Sequence, residues 1–209
     1  MKITKFVHSC LLVETPERTA IFDPGVMSES ALDPDALQRL DDIFITHNHG
    51  DHLSEQLLRQ LYARFPHVRI TGPPEVVAQL QQAGIAASSD LPDGVRLFAA
   101  PHESVAPLFP QPEEFGYHYL EQLSHPGDCH SFKETMAILA LPVTAPWGSF
   151  VRAINLALER KPQHVLPIHD WHWSDAARTA SYDIAARVLG EQGIHFHRLQ
   201  TGQPVSIEV

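Results

Sequence analysis

Short polar and apolar periods mark out the first half of the chain. Lys2 to Val7 alternates, Cys10 to Glu14 is apolar, and Thr19 to Phe22 is a third short run. These spacings predict three strands, with Thr15-Pro16-Glu17-Arg18 as a hairpin turn and Asp23-Pro24-Gly25 as an abrupt stop. Asp33 is an N-cap candidate for a short helix over Pro34 to Leu40. Asp42 to Thr46 reads as a buried strand. Ser54 then caps a helix to about Arg64, in which Leu53, Leu57, Leu58 and Leu61 recur at helical spacing. Val68 to Thr71 predicts a strand. Pro73-Pro74 opens a helix to about Gln82, and Gly84 lies just past its end.

The second half repeats the alternation of strand and helix. Val95 to Ala99 predicts a strand that runs into Pro101-His102. Pro107 to Pro112 is a proline-rich surface flap. Phe115 to Leu120 is a strand with aromatics at alternate positions, and Ser124 to Cys129 is a loop. Met136 to Pro142 is a buried strand. Ser149 to Glu159 is a helix with Phe150, Val151, Ile154 and Leu158 as its apolar stripe. His164 to Ile168 is a strand that ends at His169-Asp170. Ser174 or Asp175 caps a long helix to Leu189, closed by Gly190 or Gly193. Ile194 to Val209 reads as two strands with Gly202-Gln203 near the turn. No low-complexity linker or short repeat divides this order. It predicts an α/β chain of two mixed sheets packed face to face with helices outside, in a single domain over residues 1–209.

Composition narrows the function. Of 209 residues, 44% are hydrophobic and 19% charged, which suits a sizeable core. Fifteen basic against 25 acidic side chains give a formal charge of −10. Binding to nucleic-acid backbones relies on Lys and Arg displacing counterions, so no nucleic-acid partner is expected. Cys10 and Cys129 are too few for a disulfide scaffold. The N-terminus has no long apolar segment, and no run of about 18 apolar residues occurs. A cytoplasmic protein with no membrane partner is the expectation.

Histidine is the outlier, at 14 residues. His47, His49, Asp51 and His52 fall within six consecutive positions directly after the apolar run Ile43-Phe44-Ile45. Three imidazoles and a carboxylate would fill one tetrahedral ion and leave no place for water, so they read as a good start on two sites. Three further loops each supply a donor beside an apolar strand: His102, Asp128 and His169. Reactive groups on loops at one edge of a rigid sheet are the usual way to build a site. Imidazole and carboxylate suit zinc, and also manganese, iron or nickel.

The pattern His47-x-His49-x-Asp51-His52, followed by His102, Gly127-Asp128 and Pro167-Ile168-His169, resembles the metallo-β-lactamase-fold hydrolase superfamily over nearly the whole chain. His8-Ser9-Cys10, Phe22-Asp23-Pro24-Gly25 and Leu166-Pro167-Ile168-His169 are similar to the branch that contains ascorbate-6-phosphate lactonase. The resemblance implies a four-layer αββα sandwich. It implies a first ion on His47, His49 and His102, a second on Asp51, His52 and His169, and Asp128 as the bridge. It places His8 and Asp23 beside the metals as outer partners, although the Asp-Pro-Gly turn needs no metal to explain Asp23. The chain departs from the family pattern between Phe115 and Asp128, where the hairpin looks shortened. It departs again at Cys129, where threonine is common; a small buried residue is the simpler reading of that thiol.

The implied chemistry is hydrolysis by a metal-bridging hydroxide, with the ions polarising the substrate oxygen. Asp51 is a candidate to take part in proton transfer, and His172 or His130 to protonate the leaving group. Trp171 and Trp173 are candidates for a pocket wall or for core packing. His118 and His125 are near Asp128 in sequence, while His195 and His197 read as structural. The expected substrate is a small-molecule ester, lactone or phosphodiester, selected by flaps such as Glu103 to Glu114 and Pro146 to Phe150. The alternatives are a nuclease acting on RNA or DNA, which would need a gripping arm that is not visible, and a non-enzymatic metal-binding domain, which the intact ligand set disfavours.

Overall fold

A computed structural model describes residues 1–209. Two compact units divide the chain: Met1–Pro92 with Pro112–Phe115 and Gln200–Glu208, and Asp93–Gln111 with Gly116–Leu199 and Val209. Each holds one six-stranded mixed sheet.

The first unit contains β1 (Lys2–Lys5), β2 (Leu11–Glu14), β3 (Thr19–Phe22), β4 (Asp42–Phe44), β5 (Arg69–Thr71) and β12 (Pro204–Ser206), in the order β12-β1-β2-β3-β4-β5. The meander from β1 to β3 is antiparallel, and β3, β4 and β5 run parallel. Ile21, Ile43 and Ile70 sit in register across those three strands. They pack in one apolar cluster with Leu57, Leu58 and Leu61 of α1 (Glu55–Arg64) and with Val76 and Leu80 of α2 (Pro74–Gln82). Burying each such side chain contributes about 1.5–3 kcal/mol. Because strand side chains alternate, Phe22 and Phe44 fall on the opposite face, paired in register and stacked with centroids 5.0 Å apart.

Ser54 caps α1 as its sequence predicts, the hydroxyl accepting from Leu57 N–H at 3.1 Å. The ligand loop is therefore held between a buried parallel strand and a capped helix. The helix expected over Pro34 to Leu40 is only a single 3₁₀ turn, Pro34–Ala36. Asp33 does cap it, but Leu37 leaves at once with extended backbone. Leu37 and Leu40 are both buried in the cluster, and that burial overrides the local helical preference.

The second unit contains β6 (Val95–Phe98), β7 (Gly116–Tyr119), β8 (Leu123–His125), β9 (Ile138–Pro142), β10 (His164–Ile168) and β11 (His195–Phe196), in the order β11-β10-β9-β8-β7-β6. The hairpin that looked shortened is whole. β7 and β8 pair antiparallel around Leu120 and Glu121, both in left-handed backbone at φ 51° and 53°. Tyr119 and Leu123 are register partners, so the loop is three residues, Leu120-Glu121-Gln122, closed by Gln122 N–H donating to Tyr119 O at 3.1 Å. No glycine or asparagine marks its left-handed positions, so the sequence conceals it.

Two further expectations change. Helix α3 (Phe150–Arg160) buries Ala153, Ile154, Leu156 and Ala157, and Val151 is exposed. Phe150 and Leu158 also pack against this second apolar cluster, which α4 (Asp175–Gly190) joins through Tyr182, Ala185 and Leu189, so of the expected stripe only Val151 turns outward. The tail does not form one hairpin. β11 pairs parallel with β10, and β12 pairs antiparallel with β1 in the other sheet. No helix is long and apolar enough to cross a membrane.

Candidate metal centre

In the first unit the donors sit on the loop that follows β4. His47 and His52 are fully buried, His49 is half-buried, and the Asp51 side chain is about a quarter exposed. The turn Asp23-Pro24-Gly25 shapes this loop. Val26 N–H donates to Gly50 O at 2.8 Å, and Ser54 N–H to Pro24 O at 2.9 Å. A Cβ on Gly25 would lie 1.8 Å from the Asp51 carbonyl oxygen. Only glycine allows the turn and the ligand loop to lie so close together.

Asp23 holds the loop from beneath. Its Oδ1 accepts from Thr46 N–H at 2.7 Å, and its Oδ2 accepts from Thr46 Oγ1–H at 2.9 Å and from His52 Nδ1–H at 2.7 Å. A carboxylate has only acceptors to offer, so the His52 proton is on Nδ1 and the Nε2 lone pair faces outward. Asp23 thus both begins the Asp-Pro-Gly turn and accepts from a histidine of the loop. His47 Nδ1 meets Thr46 Oγ1 at 3.0 Å and the buried Glu114 carboxylate at 3.4 Å, and its Nε2 lies 3.1 Å from His49 Nδ1. His8 reaches the loop through Asp51. Its Nε2 is 3.1 Å from Asp51 Oδ2, and His8, Asp51 and His52 each bring a donor atom within 4.8 Å of the others.

In the second unit three more donors converge. His102 Nδ1–H donates to Glu103 O at 2.6 Å, and His169 Nδ1–H to Thr144 O at 2.8 Å. Both acceptors are carbonyls, so both Nε2 lone pairs point away from them. These lone pairs face Asp128 Oδ2, at 3.7 Å from His102 and 3.1 Å from His169. With neutral rings these atoms form a set of acceptors that suits a shared cation. Glu103 ties the loops together: its N–H donates to Asp128 O, while its carboxylate accepts from His130 N–H and Arg152.

Trp147 was not foreseen. Its Nε1–H donates to Asp128 Oδ2 at 3.1 Å, and its ring lies 5.5 Å from that of His169. Nothing in the spacing of a lone tryptophan after a proline announces such a contact. His169 itself is in left-handed backbone, φ 64°, as are His8 at 63° and Asp23 at 45°. Non-glycine residues are uncommon there and gather at functional sites, where surrounding contacts hold them. For His169 those contacts include its neighbour Asp170, buried and bound by Tyr182 O–H at 2.6 Å and Arg178 Nε–H at 3.0 Å.

Other candidates separate cleanly. His130 is buried, and its Nε2–H donates to Pro142 O at 2.7 Å. Burial and the Arg152 charge hold its pKa below the usual range, with the Pro142 bond opposing them. It packs against Trp147 and so braces a site residue. His172 is exposed; burial and then the His169 charge lower its pKa. Trp171 is exposed, and Trp173 packs edge-on against Phe150 in the second apolar cluster. His118 stacks on Phe98 and bonds Ser124. His125 Nδ1 accepts from Gly127 N–H at 3.4 Å and supports the Gly127-Asp128 turn. Cys129 is fully buried and burial raises its thiol pKa, which fits an inert packing residue.

Residues 2–169 match the family described as Beta-lactamase superfamily domain. Protein Rv0786c of Mycobacterium tuberculosis is 31% identical over 180 residues, covering 81% of this chain and 84% of that protein. A UPF0173 metal-dependent hydrolase of Opitutus terrae is 29% identical over 96 residues, covering 45% of this chain and 40% of that protein. Among solved structures, Igni18, a metallo hydrolase from Ignicoccus hospitalis, superposes with a TM-score of 0.74 at 20% identity, covering 100% of this chain and 98% of that one.

Proposed function

Because the chain belongs to the β-lactamase superfamily and has the metallo-β-lactamase fold of a metal-dependent hydrolase, we propose that it uses two divalent ions, most simply zinc, to hydrolyse a small-molecule ester, lactone or phosphodiester. In this reading residues 1–209 act as one catalytic domain in the cytoplasm. His47, His49 and His102 hold one ion, Asp51, His52 and His169 hold the other, and Asp128 is shared. When bound, the ions supply an activated water and polarise the substrate oxygen.

The observation that carries the proposal is the same in both units. His52, His102 and His169 each give Nδ1–H to a fixed oxygen, on Asp23, Glu103 and Thr144, and leave Nε2 as the ligand atom. Trp147 fixes the orientation of Asp128 by donating to one of its oxygens. Asp51, partly exposed and held by His8, is positioned to take a proton from the attacking water. His172, three residues past His169, is the proposed donor to the leaving group. Burial, then the neighbouring His169, lowers its pKa.

The flap from Glu103 to Glu114 carries Leu108 and Phe109, both exposed. We assign it the apolar part of substrate selection. A panel of lactones, phosphodiesters and thioesters, assayed before and after chelation, tests the reading. Turnover of at least one class, lost on chelation and restored by a divalent ion, is expected, with structured RNA left uncut. Cleavage of RNA but of no small molecule would replace this reading with a nuclease.

A further inference from the structure

Another group of imidazoles lies at the edge of the second sheet, in the same unit as His102, Asp128 and His169 but on none of the ligand loops. β10 begins at His164, and His195 of β11 is its direct partner in the parallel register. Residues two apart on a strand share a face, so His197 follows His195 on the same side. The backbone ladder runs through both: His195 N–H donates to Gln163 O at 2.8 Å and His197 N–H to Val165 O at 3.0 Å. His164 and His169 mark opposite ends of β10. Five residues of strand at about 3.3 Å each put this group about 16 Å along the strand from His169.

The three rings are mutually close. Centroids are 4.3 Å apart for His195 and His197, 5.3 Å for His164 and His197, and 5.9 Å for His164 and His195. His197 Nε2 is 3.2 Å from His164 Nδ1. β11 ends the sheet, and His195 is exposed while His164 and His197 are half-buried. Three imidazoles in one place repel one another when protonated. Burial, followed by the charges of His195 and His164, pushes His197 down to about 4, so its ring is neutral and carries a lone pair near neutral pH.

We propose that His164, His195 and His197 form a separate site for one borderline transition-metal ion, such as Zn²⁺, Ni²⁺ or Cu²⁺, with water completing its coordination. His164 and His197 already present facing nitrogens from a fixed ladder. His195, exposed beside them, would complete the set by rotating about its side-chain torsions. Imidazole-only donors favour these ions over Mg²⁺ or Ca²⁺, which select oxygen. The site does not depend on the proposed catalytic pair and would sit apart from it.

Zinc uptake measured by competition with a chromophoric chelator tests this on the full chain. Wild type is expected to bind one equivalent more than His195→Ala or His195→Ala/His197→Ala, with hydrolytic rate unchanged. In an Asp128→Ala chain, adding His195→Ala is expected to remove the same single equivalent, which keeps the result independent of the catalytic centre. His195 is exposed, so its replacement leaves the fold intact. Equal zinc uptake by wild type and His195→Ala in both backgrounds would overturn the proposal.

Discussion

Asp128→Ala is expected to abolish hydrolysis. The Asp128 carboxylate is where the lone pairs of His102 and His169 converge and where Trp147 donates. Removing it leaves two nitrogens facing a gap and takes away the proposed shared ligand. Losing several kcal/mol of transition-state stabilisation corresponds to a fall in kcat/KM on the order of 10³-fold or more. The variant is also expected to bind less metal than wild type after the same reconstitution. Asp128 is small and buried at a loop, so the cost in stability is modest beside the loss of activity. Steady-state kinetics on whichever lactone or phosphodiester the wild type turns over, with metal content measured on the same samples, checks this. Unchanged turnover would remove Asp128 from the centre.

Asp23→Ala is expected to cost stability and metal affinity together. The side chain is fully buried and accepts three hydrogen bonds, from Thr46 N–H, Thr46 Oγ1–H and His52 Nδ1–H. Alanine leaves all three donors buried without that acceptor, at about 1–3 kcal/mol each when uncompensated. It also places an ordinary side chain at φ 45°, a region that aspartate and asparagine tolerate better. Freed of its carboxylate, His52 loses the bond that fixes its tautomer, and losses of this kind weaken metal binding by about 10–100-fold. Asp23→Asn separates the two effects. It keeps the backbone preference and a Thr46 acceptor but not the carboxylate, so the expected outcome is near-normal melting with weakened metal binding. Urea denaturation and a chelator titration read the two quantities separately. If Asp23→Asn binds metal as wild type does, Asp23 is a turn former only.

The ligand loop was legible because its chemistry is local. Four donors within six residues, after a strand and before a serine-capped helix, need no distant information. His102, Asp128 and His169 were legible for a related reason, since each interrupts the chain beside an apolar strand. The partners that tune these donors were harder to see. Glu114 approaches His47 from a segment that joins the first unit only through chain folding, and Trp147 reaches Asp128 across a loop; neither has a periodicity to betray it. Asp23 was ambiguous because Asp-Pro-Gly satisfies turn rules by itself, and the folded structure shows one residue serving both ends. The β7–β8 hairpin was hidden because Leu120 and Glu121 take left-handed positions where glycine or asparagine is usual. Over Pro34 to Leu40, propensity pointed to a helix, but burial of Leu37 and Leu40 required extended chain.

The histidines divide by what holds them. His130 and His118 are locked to Pro142 and Ser124, and burial keeps both below the ordinary histidine range, His118 at about 4. His52, His102 and His169 are tied through Nδ1, to Asp23, Glu103 and Thr144. Their Nε2 atoms lie beside the loop carboxylates Asp51 or Asp128, a neighbourhood that sequence does not reveal.

The central claim is a two-ion hydrolytic centre. The most direct measurement is metal content per chain after reconstitution and desalting, made on His195→Ala so that the edge histidines do not contribute, with turnover recorded on the same sample. The account predicts two divalent ions per chain and activity that rises until both are present. One ion or fewer at full activity would contradict it.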